Sequence, residues 1–258
     1  MWRRIAQSVQ GAGHAKEGGA CQDTHGVRLL AVGPTETLIA CVADGAGSAR
    51  FGEFGSSIVC ETILECASAY SASFANFDGL QVEDVLRWCE EARTRIEAEA
   101  VRRQCEVREL ATTICTAILS ATGSICFQIG DGAIILGHDG IYGVVFWPQS
   151  GEYANSTNFI TSKEYRERIE FLATPTPVSD VALFTDGLER LALRFDSQTP
   201  HVPFFDPLFR ALRATSEVEG LNEGLRGFLS SDQVQHRSDD DKTLILASRC
   251  RDNVHDAN

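Results

Sequence analysis

The stretch TLIACVADG, residues 37–45, decides how the rest of the chain is interpreted. Its six consecutive apolar residues, Leu38 to Ala43, follow the turn pair Gly33-Pro34 and run directly into Asp44-Gly45, a pattern typical of a buried β-strand. Two further apolar stretches end in the same pair, at Asp131-Gly132 and Asp186-Gly187. A carboxylate at a strand end beside a glycine lies at the rim of a sheet, where the backbone can approach a ligand closely.

The elements around this strand fall into separate runs of strands and helices. Residues 27–43 predict two strands, and apolar residues at helical spacing predict helices over about 55–70 and 82–105. Four strands, interpreted as an antiparallel meander, are then predicted at 112–120, 124–129, 133–137 and 141–146. Residues 147–179 predict an irregular segment, and hence a candidate flap, with a strand near 158–161. The last elements are a strand at 181–185, helices at 206–213 and 221–229, and a strand at 243–247.

This order predicts an α+β fold in segregated layers, because strands and helices do not alternate as they do in a parallel α/β sheet. The length, 258 residues, suits one domain over residues 1–258, with residues 251–258 as a flexible tail. A net charge of -13 and the lack of a basic, aromatic run argue against nucleic acid as a partner.

The chain is also expected to be cytoplasmic. Its nine cysteines are an odd number without a C-x-x-C pair, which indicates reduced thiols. No apolar run approaches the roughly 20 residues that a membrane-spanning helix needs, so no membrane is expected as a partner.

Acidic residues beside the other predicted strands complete the set of strand-end carboxylates. Asp23 precedes the first strand, and Asp239-Asp240-Asp241 precedes the last. Asp-Gly is also among the commonest turn pairs, and Asp139-Gly140 is interpreted as such a turn. Carboxylates that converge on one rim repel one another unless a cation compensates their charge. Oxygen ligands favour hard cations, so the set predicts Mg²⁺ or Mn²⁺ in preference to zinc.

Six short motifs occur in an order that resembles a known family. They are Gly11-Ala-Gly-His14 with Cys21-Gln-Asp23, Val42-Ala-Asp-Gly-Ala-Gly-Ser48, Ala111-Thr-Thr113, Ile129-Gly-Asp-Gly132, Phe184-Thr-Asp-Gly187 and Asp240-Asp-Lys-Thr-Leu-Ile-Leu246. Together they extend over nearly the whole chain and resemble the metal-dependent type 2C protein phosphatases, in particular their short bacterial branch. The resemblance implies a β-sandwich of two antiparallel sheets flanked by paired helices, with a metal cleft at one end.

The resemblance also implies roles for the acidic residues. Asp44 would bridge two core metal ions, the Gly45 carbonyl would ligate one, and Asp186 and Asp240 would complete the shell of the other. Asp131 would help to bind a weaker third ion. A water bridging the two core ions would then attack the phosphorus of phosphoserine or phosphothreonine, without a covalent enzyme intermediate.

Three more carboxylates have expected places around these ligands. Asp23 matches the catalytic acidic residue that holds metal-bound water in the family. Asp241 would lie behind the ligands, in the second shell, and Asp239 would be a solvated flank. The Asp triplet leaves the choice of ligand open by one position.

The chain departs from the best-known members of the family at two positions. Those members have a His directly after the first Asp-Gly and an Arg shortly before the first acidic motif. Here Ala46 follows Gly45, and Gly18 and Gly19 lie before Asp23. The usual general acid and the usual phosphate-binding residue are therefore missing at those positions.

Three other side chains are candidates for the two roles. His14 is the candidate general acid, because an imidazole titrates near neutrality, although a lone His is more often structural. Arg50 or Lys16 is the candidate phosphate-binding residue, since cationic side chains engage phosphate oxygens. Both cations are equally consistent with ordinary surface residues.

The leading hypothesis is a serine/threonine protein phosphatase that depends on Mn²⁺ or Mg²⁺. One alternative is a catalytically weak or inactive regulatory module of the same fold, since two usual residues are missing. Another is a phosphatase of a small phosphorylated metabolite, because a fold does not settle the substrate. By resemblance, the expected partner is a phosphorylated protein: a Ser/Thr kinase or the target of one.

Overall fold

A computed structural model describes residues 1–32, 35–150, 157–215 and 217–250 of the chain. The described strands are β1 (Trp2–Val9), β2 (Thr24–Val32), β3 (Thr35–Ala43), β4 (Ile114–Leu119), β5 (Ser124–Ile129), β6 (Ala133–His138), β7 (Ile141–Val144), β8 (Glu170–Thr174), β9 (Asp180–Phe184), β10 (Leu193–Arg194), β11 (Thr199–Pro200) and β12 (Lys242–Arg249). The helices are α1 (Ala12–Glu17), α2 (Gly52–Phe74), α3 (Val82–Arg103), α4 (Tyr165–Arg168), α5 (Glu189–Ala192), α6 (Val202–Ala214), α7 (Val218–Leu229) and α8 (Asp232–Gln235). Short 3₁₀ turns occur at Val107–Leu110 and Asp186–Leu188.

Two five-stranded antiparallel sheets form the centre of the molecule. The first sheet has the order β1-β12-β9-β6-β7, and the second has the order β2-β3-β4-β5-β8. The strands β10 and β11 form a separate two-stranded ribbon. The expected α+β sandwich of two antiparallel sheets is therefore confirmed.

The helices cover the outer faces of the two sheets, so the molecule has four layers. On β3, Ile39 and Cys41 pack with α2 and α3, whereas Leu38 and Ala40 face the other sheet. On β9, Leu183 lies between the sheets and Phe184 packs with α6 and α7. Because successive side chains of a strand point to opposite faces, both faces of these central strands are apolar. This explains the uninterrupted apolar run of β3.

Strand β1 is not apparent from the sequence pattern. It pairs with β12 over its full length, from Trp2 opposite Arg249 to Val9 opposite Lys242. Trp2 and Ile5 are buried, but Arg3 and Arg4 lie between them and interrupt the apolar pattern. β1 is an edge strand, where charged residues are tolerated on the open side.

Two strand predictions are wrong. The meander is broken because β5 and β6 belong to different sheets, and Gly130, with φ of 115°, turns the chain between them. Residues 158–161 form loop and turn, whereas the strand of this region is β8, which pairs with the edge of β5. β8 is held in the sheet by its backbone pairing with β5, and as an edge strand it has only a weak apolar pattern. The predicted turn at Gly33-Pro34, residues 151–156 of the candidate flap and the predicted tail at 251–258 lie outside the described residues.

All nine cysteines are free, and five of them are buried, as expected for reduced thiols. Among the described residues, no helix combines the length and apolarity that crossing a membrane requires. Asp139-Gly140 forms the turn between β6 and β7, with φ of 49° and 80°, as its sequence predicts.

Candidate metal centre

The registers of the two sheets bring the acidic strand ends to one end of the sandwich. In the second sheet, Val42 near the end of β3 lies opposite Cys115 near the start of β4. In the first sheet, Phe184 at the end of β9 lies opposite Leu244, near the start of β12, and Ala133, at the start of β6. The acidic residues that adjoin these strand ends therefore share one rim.

Three carboxylates converge at this rim. One oxygen each from Asp44, Asp131 and Asp186 lies within 4.8 Å of the others, a spacing that can hold a metal ion. Asp44 follows β3 of the second sheet, Asp186 follows β9 of the first, and Asp131 lies in the β5–β6 connection between the sheets. Residues from both sheets thus form the cluster.

Asp240 lies beside this cluster and not within it. Its charge acts on Asp44, Asp131 and Asp186, which places it near all three. The side chain is exposed, and its Oδ1 accepts a hydrogen bond of 2.8 Å from the backbone N–H of Asp241. Asp239 is exposed, as expected for a flank.

The carboxylates of the cluster have raised pKa values. Burial, followed by the charges of neighbouring carboxylates, raises the pKa of Asp186 to about 8 and the pKa of Asp44 well above its usual range. Burial likewise raises the pKa of Asp131. Within the described part of the chain, no lysine or arginine forms an ion pair with these carboxylates. Their charge is left for another cation to compensate.

The donor set fits a hard divalent cation. The Oδ1 atoms of Asp23, Asp131 and Asp186 are buried, and none has a hydrogen-bond donor among the described residues. Buried polar atoms are normally hydrogen-bonded, so three unpartnered carboxylate oxygens in one place indicate a missing partner. Carboxylate oxygens are the ligands of Mg²⁺ and Mn²⁺ in preference to softer metals.

Two threonines hold the backbone of Asp44. Its N–H donates to Thr113 Oγ1 at 3.0 Å, and its carbonyl accepts from the Thr113 N–H at 2.9 Å and the Thr112 hydroxyl at 2.8 Å. Next to it, the N–H of Gly45 donates to the Gln22 carbonyl at 3.1 Å. A side chain at Gly45 would lie 2.5 Å from the backbone of Gly52. These contacts explain why Thr-Thr and Asp-Gly occur where they do.

Asp23 is buried behind the cluster. Its Oδ2 accepts a 2.7 Å hydrogen bond from the hydroxyl of Thr185, the residue before Asp186. Burial raises the pKa of Asp23 to about 7, and the charge of Asp241 adds to the effect, whereas the hydroxyls of Thr185 and Thr243 oppose it. Nothing in the sequence distinguishes Thr185, because a Thr at a strand end resembles any other strand residue.

Asp241 is buried and accepts three hydrogen bonds. Its Oδ1 accepts from the N–H of Gly11 at 2.7 Å, and its Oδ2 accepts from the N–H of Gln22 at 2.6 Å. His14 Nδ1 lies 2.8 Å from Oδ2 of the same carboxylate. Asp241 therefore joins the N-terminal segment to the start of β12 and orients the imidazole of His14.

His14 lies on the helix α1, at the same rim, and 16% of its side chain is exposed. Its Nε2 makes no hydrogen bond with the described residues. Lys16 and Arg50 are both exposed, and the Arg50 guanidinium lies 5.0 Å from the centre of the Phe51 ring. The structure does not bring either cation into an ion pair with the carboxylates of the described residues.

Known proteins with a similar sequence identify the family to which this acidic rim belongs. A family model described as Protein phosphatase 2C matches residues 10–230. Serine/threonine-protein phosphatase 3 of Escherichia coli (strain K12) is 38% identical over 253 residues, which are 95% of this chain and 98% of that protein.

Solved structures with low sequence identity share the fold. The catalytic domain of serine threonine protein phosphatase PstP, in complex with two manganese ions, has a TM-score of 0.64 at 16% identity and covers 97% of this chain and 99% of that one. PppA of Pseudomonas aeruginosa has a TM-score of 0.62 at 17% identity, with 96% and 97% covered. From the family match, the relative and the acidic rim, we conclude that the chain belongs to the type 2C protein phosphatase family.

Proposed function

We propose that this protein is a serine/threonine phosphatase that hydrolyses phosphoserine and phosphothreonine in other proteins at the acidic rim. The observation that carries the proposal is the convergence of Asp44, Asp131 and Asp186 within 4.8 Å, with buried oxygens that lack donors among the described residues. Burying several carboxylates together costs free energy unless a cation compensates their charge. The chain also belongs to a family of metal-dependent phosphatases.

We assign the residues of the centre as follows. Asp44, with the Gly45 carbonyl, and Asp186 would hold the core cations, Asp240 would complete the shell from the exposed side, and Asp131 would hold a further ion. Bound Mn²⁺ or Mg²⁺ would supply a nucleophile at neutral pH and neutralise charge on the phosphoryl oxygens. Two core ions, with a weaker third, are part of this proposal.

The chain's own groups would position water and move protons. Asp23 Oδ2 accepts from the Thr185 hydroxyl, and its Oδ1 has no donor among the described residues. Through this Oδ1, Asp23 would accept a hydrogen bond from the attacking water. His14, oriented through Nδ1 by Asp241, has Nε2 available to protonate the departing serine or threonine oxygen. Arg50 or Lys16 stays the candidate for phosphate binding.

The wider setting is also a proposal. The expected substrate is a phosphorylated Ser/Thr kinase or the target of one, and the expected location is the cytoplasm. Residues 1–258 would form one catalytic domain. The candidate flap at 147–179 includes β8, which pairs with β5, so this strand is part of the second sheet and not of a flap.

Hydrolysis of p-nitrophenyl phosphate and of a phosphothreonine peptide tests this function. Purified protein is assayed with Mn²⁺, with Mg²⁺ and with EDTA, beside Asp44→Asn and the matched control Asp139→Asn, which changes the Asp-Gly turn of β6 and β7. We expect cation-dependent turnover that falls by at least ~100-fold in Asp44→Asn and stays at the wild-type level in Asp139→Asn.

Equal activity of Asp44→Asn and the wild type would refute the assignment of the metal centre. Binding of Mn²⁺ without turnover on any phosphopeptide would instead favour the regulatory module. Efficient turnover of metabolite phosphates, with no turnover of phosphopeptides, would favour a small-molecule phosphatase.

A further inference from the structure

A cavity of about 340 Å³ lies between the helices α5, α6, α7 and α8. Side chains from α6, α7 and α8 make its walls apolar, among them Phe204, Leu208, Phe228 and Val234. Arg190 on α5 and Arg237 after α8 also line it. An apolar cavity with cations at its edge is suited to an apolar group that adjoins an acidic one.

The cavity is close to the ligands in sequence and in space. Arg190 follows Asp186 by four residues of 3₁₀ and α-helix, a rise of about 6 Å. Arg237 precedes Asp240 by three residues, so their Cα atoms lie within about 11 Å. The neighbour of Arg190, Glu189, also senses the charge of Asp131. A substrate held at the metal centre can therefore reach the cavity with residues near its phosphorylated side chain.

The two arginines are available to an incoming group. Both are exposed, and among the described residues neither forms an ion pair, although the charge of Glu189 acts on Arg190. No carboxylate is among the described residues that line the cavity. His201 lines the same cavity, and its Nδ1 lies 3.0 Å from the Leu191 carbonyl. In a chain with a net charge of -13, two arginines at the edge of one cavity are complementary to an acidic partner.

We propose that this cavity is a substrate subsite that binds an apolar side chain flanked by Asp or Glu in the phosphoprotein, with Arg190 and Arg237 pairing with the acidic residues. The proposal rests on the proposed phosphatase function and names its substrate class. The apolar side chain enters between α6 and α7, and the acidic residues stay at the rim. Since an extended chain advances about 3.3 Å per residue, the acidic residues lie two to four positions from the phosphorylated residue.

Matched phosphothreonine peptides test the subsite. Each carries Leu next to either Asp-Glu or Asn-Gln, three positions before or after the phosphothreonine. We measure kcat/KM for the wild type, for Arg190→Ala with Arg237→Ala, and for Arg210→Ala. The last variant is the control, since Arg210 is an exposed arginine of α6 that pairs with Asp206 and does not line the cavity.

We expect the wild type to prefer the acidic peptide by about tenfold at low salt, and the double variant to lose most of that preference. Arg210→Ala keeps it. The preference weakens at about 0.5 M NaCl, because the arginines and their partners are solvent-exposed. In Arg190→Glu, a peptide with Lys in place of the acidic residues becomes the better substrate. This reversal requires a folded enzyme, so it shows that replacing Arg190 changes the preference without unfolding the protein.

Two outcomes would overturn the proposal in different ways. A wild type that turns over acidic and neutral peptides equally, or a double variant with an unchanged preference, would overturn the subsite and leave the phosphatase intact. A wild type that turns over neither the peptides nor p-nitrophenyl phosphate with Mn²⁺ would overturn the phosphatase function and the subsite with it.

Discussion

At the scale of single residues, Asp241 both fixes the N-terminal segment at the rim and orients His14. Its carboxylate accepts from the backbone of Gly11 and Gln22, which fastens the N-terminal segment to β12, and it also binds His14. The imidazole is thereby held at the rim although the position after Gly45 is an alanine. We propose that His14, from a different part of the chain, serves in place of the histidine that the best-known members of the family have after the first Asp-Gly.

The variant His14→Asn, assayed with two substrates that differ in their leaving group, distinguishes a general acid from a structural residue. A threonine oxygen needs a proton to depart, whereas p-nitrophenolate departs without one. We expect kcat for a phosphothreonine peptide to fall by about 100-fold, and kcat for p-nitrophenyl phosphate to change by less than about threefold. Steady-state assays with both substrates check this.

The matched control is His138→Asn, which replaces an exposed histidine at the end of β6. It should leave both rates unchanged. If His14→Asn slowed both substrates equally, His14 would be a positioning residue and not the general acid.

At the scale of elements, glycines have opposite roles in two neighbouring segments. Gly187 lies in the turn after β9, where an added Cβ would come within 1.9 Å of the Asp241 carbonyl. The turn can pass β12 closely only because this residue has no side chain. Gly224 lies inside α7, and an added Cβ there would meet nothing within 4 Å. The close approach of the turn to β12 requires a glycine at position 187, whereas the packing around position 224 does not require one.

Alanine at these two positions should have opposite effects on the free energy of unfolding. Gly187→Ala forces β9 and β12 apart at the rim, so we expect a loss of about 1–3 kcal/mol and lower activity. Gly224→Ala should stabilise the protein by roughly 0.5–1 kcal/mol, because glycine is a poor helix former. Urea unfolding measures both. Equal effects at the two positions would contradict the close approach at Gly187.

At the scale of the whole molecule, the metal centre joins the two sheets. Asp44 follows β3 of the second sheet and Asp186 follows β9 of the first, so a cation held by both would link the halves of the sandwich. Without a cation, burial and mutual repulsion raise the pKa of Asp186 to about 8 and that of Asp23 to about 7. A carboxyl group with a raised pKa holds its proton more tightly in the folded state. Its effect on stability is therefore lost as pH rises from about 4 to 8.

Protein in EDTA should accordingly become less stable between pH 5.5 and 8.5, and Mn²⁺ should restore stability most strongly at the higher pH. At a concentration of 100 times Kd, a cation adds about 2.7 kcal/mol, which corresponds to a rise in Tm of roughly 5–10 °C. Thermal unfolding at both pH values, with and without Mn²⁺, measures the effect.

Asp186→Asn is the control for this experiment. It removes one of the repelling charges, so in EDTA its Tm should depend less on pH, and Mn²⁺ should raise its Tm less than that of the wild type. A wild-type Tm in EDTA that rose with pH over the same range would contradict the electrostatic account of the cluster.

Local patterns were enough to predict the central strands, the long helices and an α+β fold in segregated layers, whereas the sandwich of two antiparallel sheets was implied by the family resemblance. β3, β9 and β12 are buried on both faces, so each contains a run of at least four consecutive apolar residues. The helices α2 and α3 repeat apolar residues at helical spacing. The edge strands β1 and β8 were missed or misplaced, because one open side lets charged and polar residues into their patterns. The supposed meander failed because no local signal tells which sheet a strand joins.

The sequence by itself determined which residues end the central strands and that their carboxylates suit a hard cation, since strand ends and ligand chemistry are local properties. Only the tertiary structure decided that Asp131 lies with Asp44 and Asp186, that Asp240 lies beside them, and that Asp241 orients His14. The physical reason is register: the antiparallel pairing of ten strands in two sheets sets which strand ends meet, and long-range packing determines that pairing.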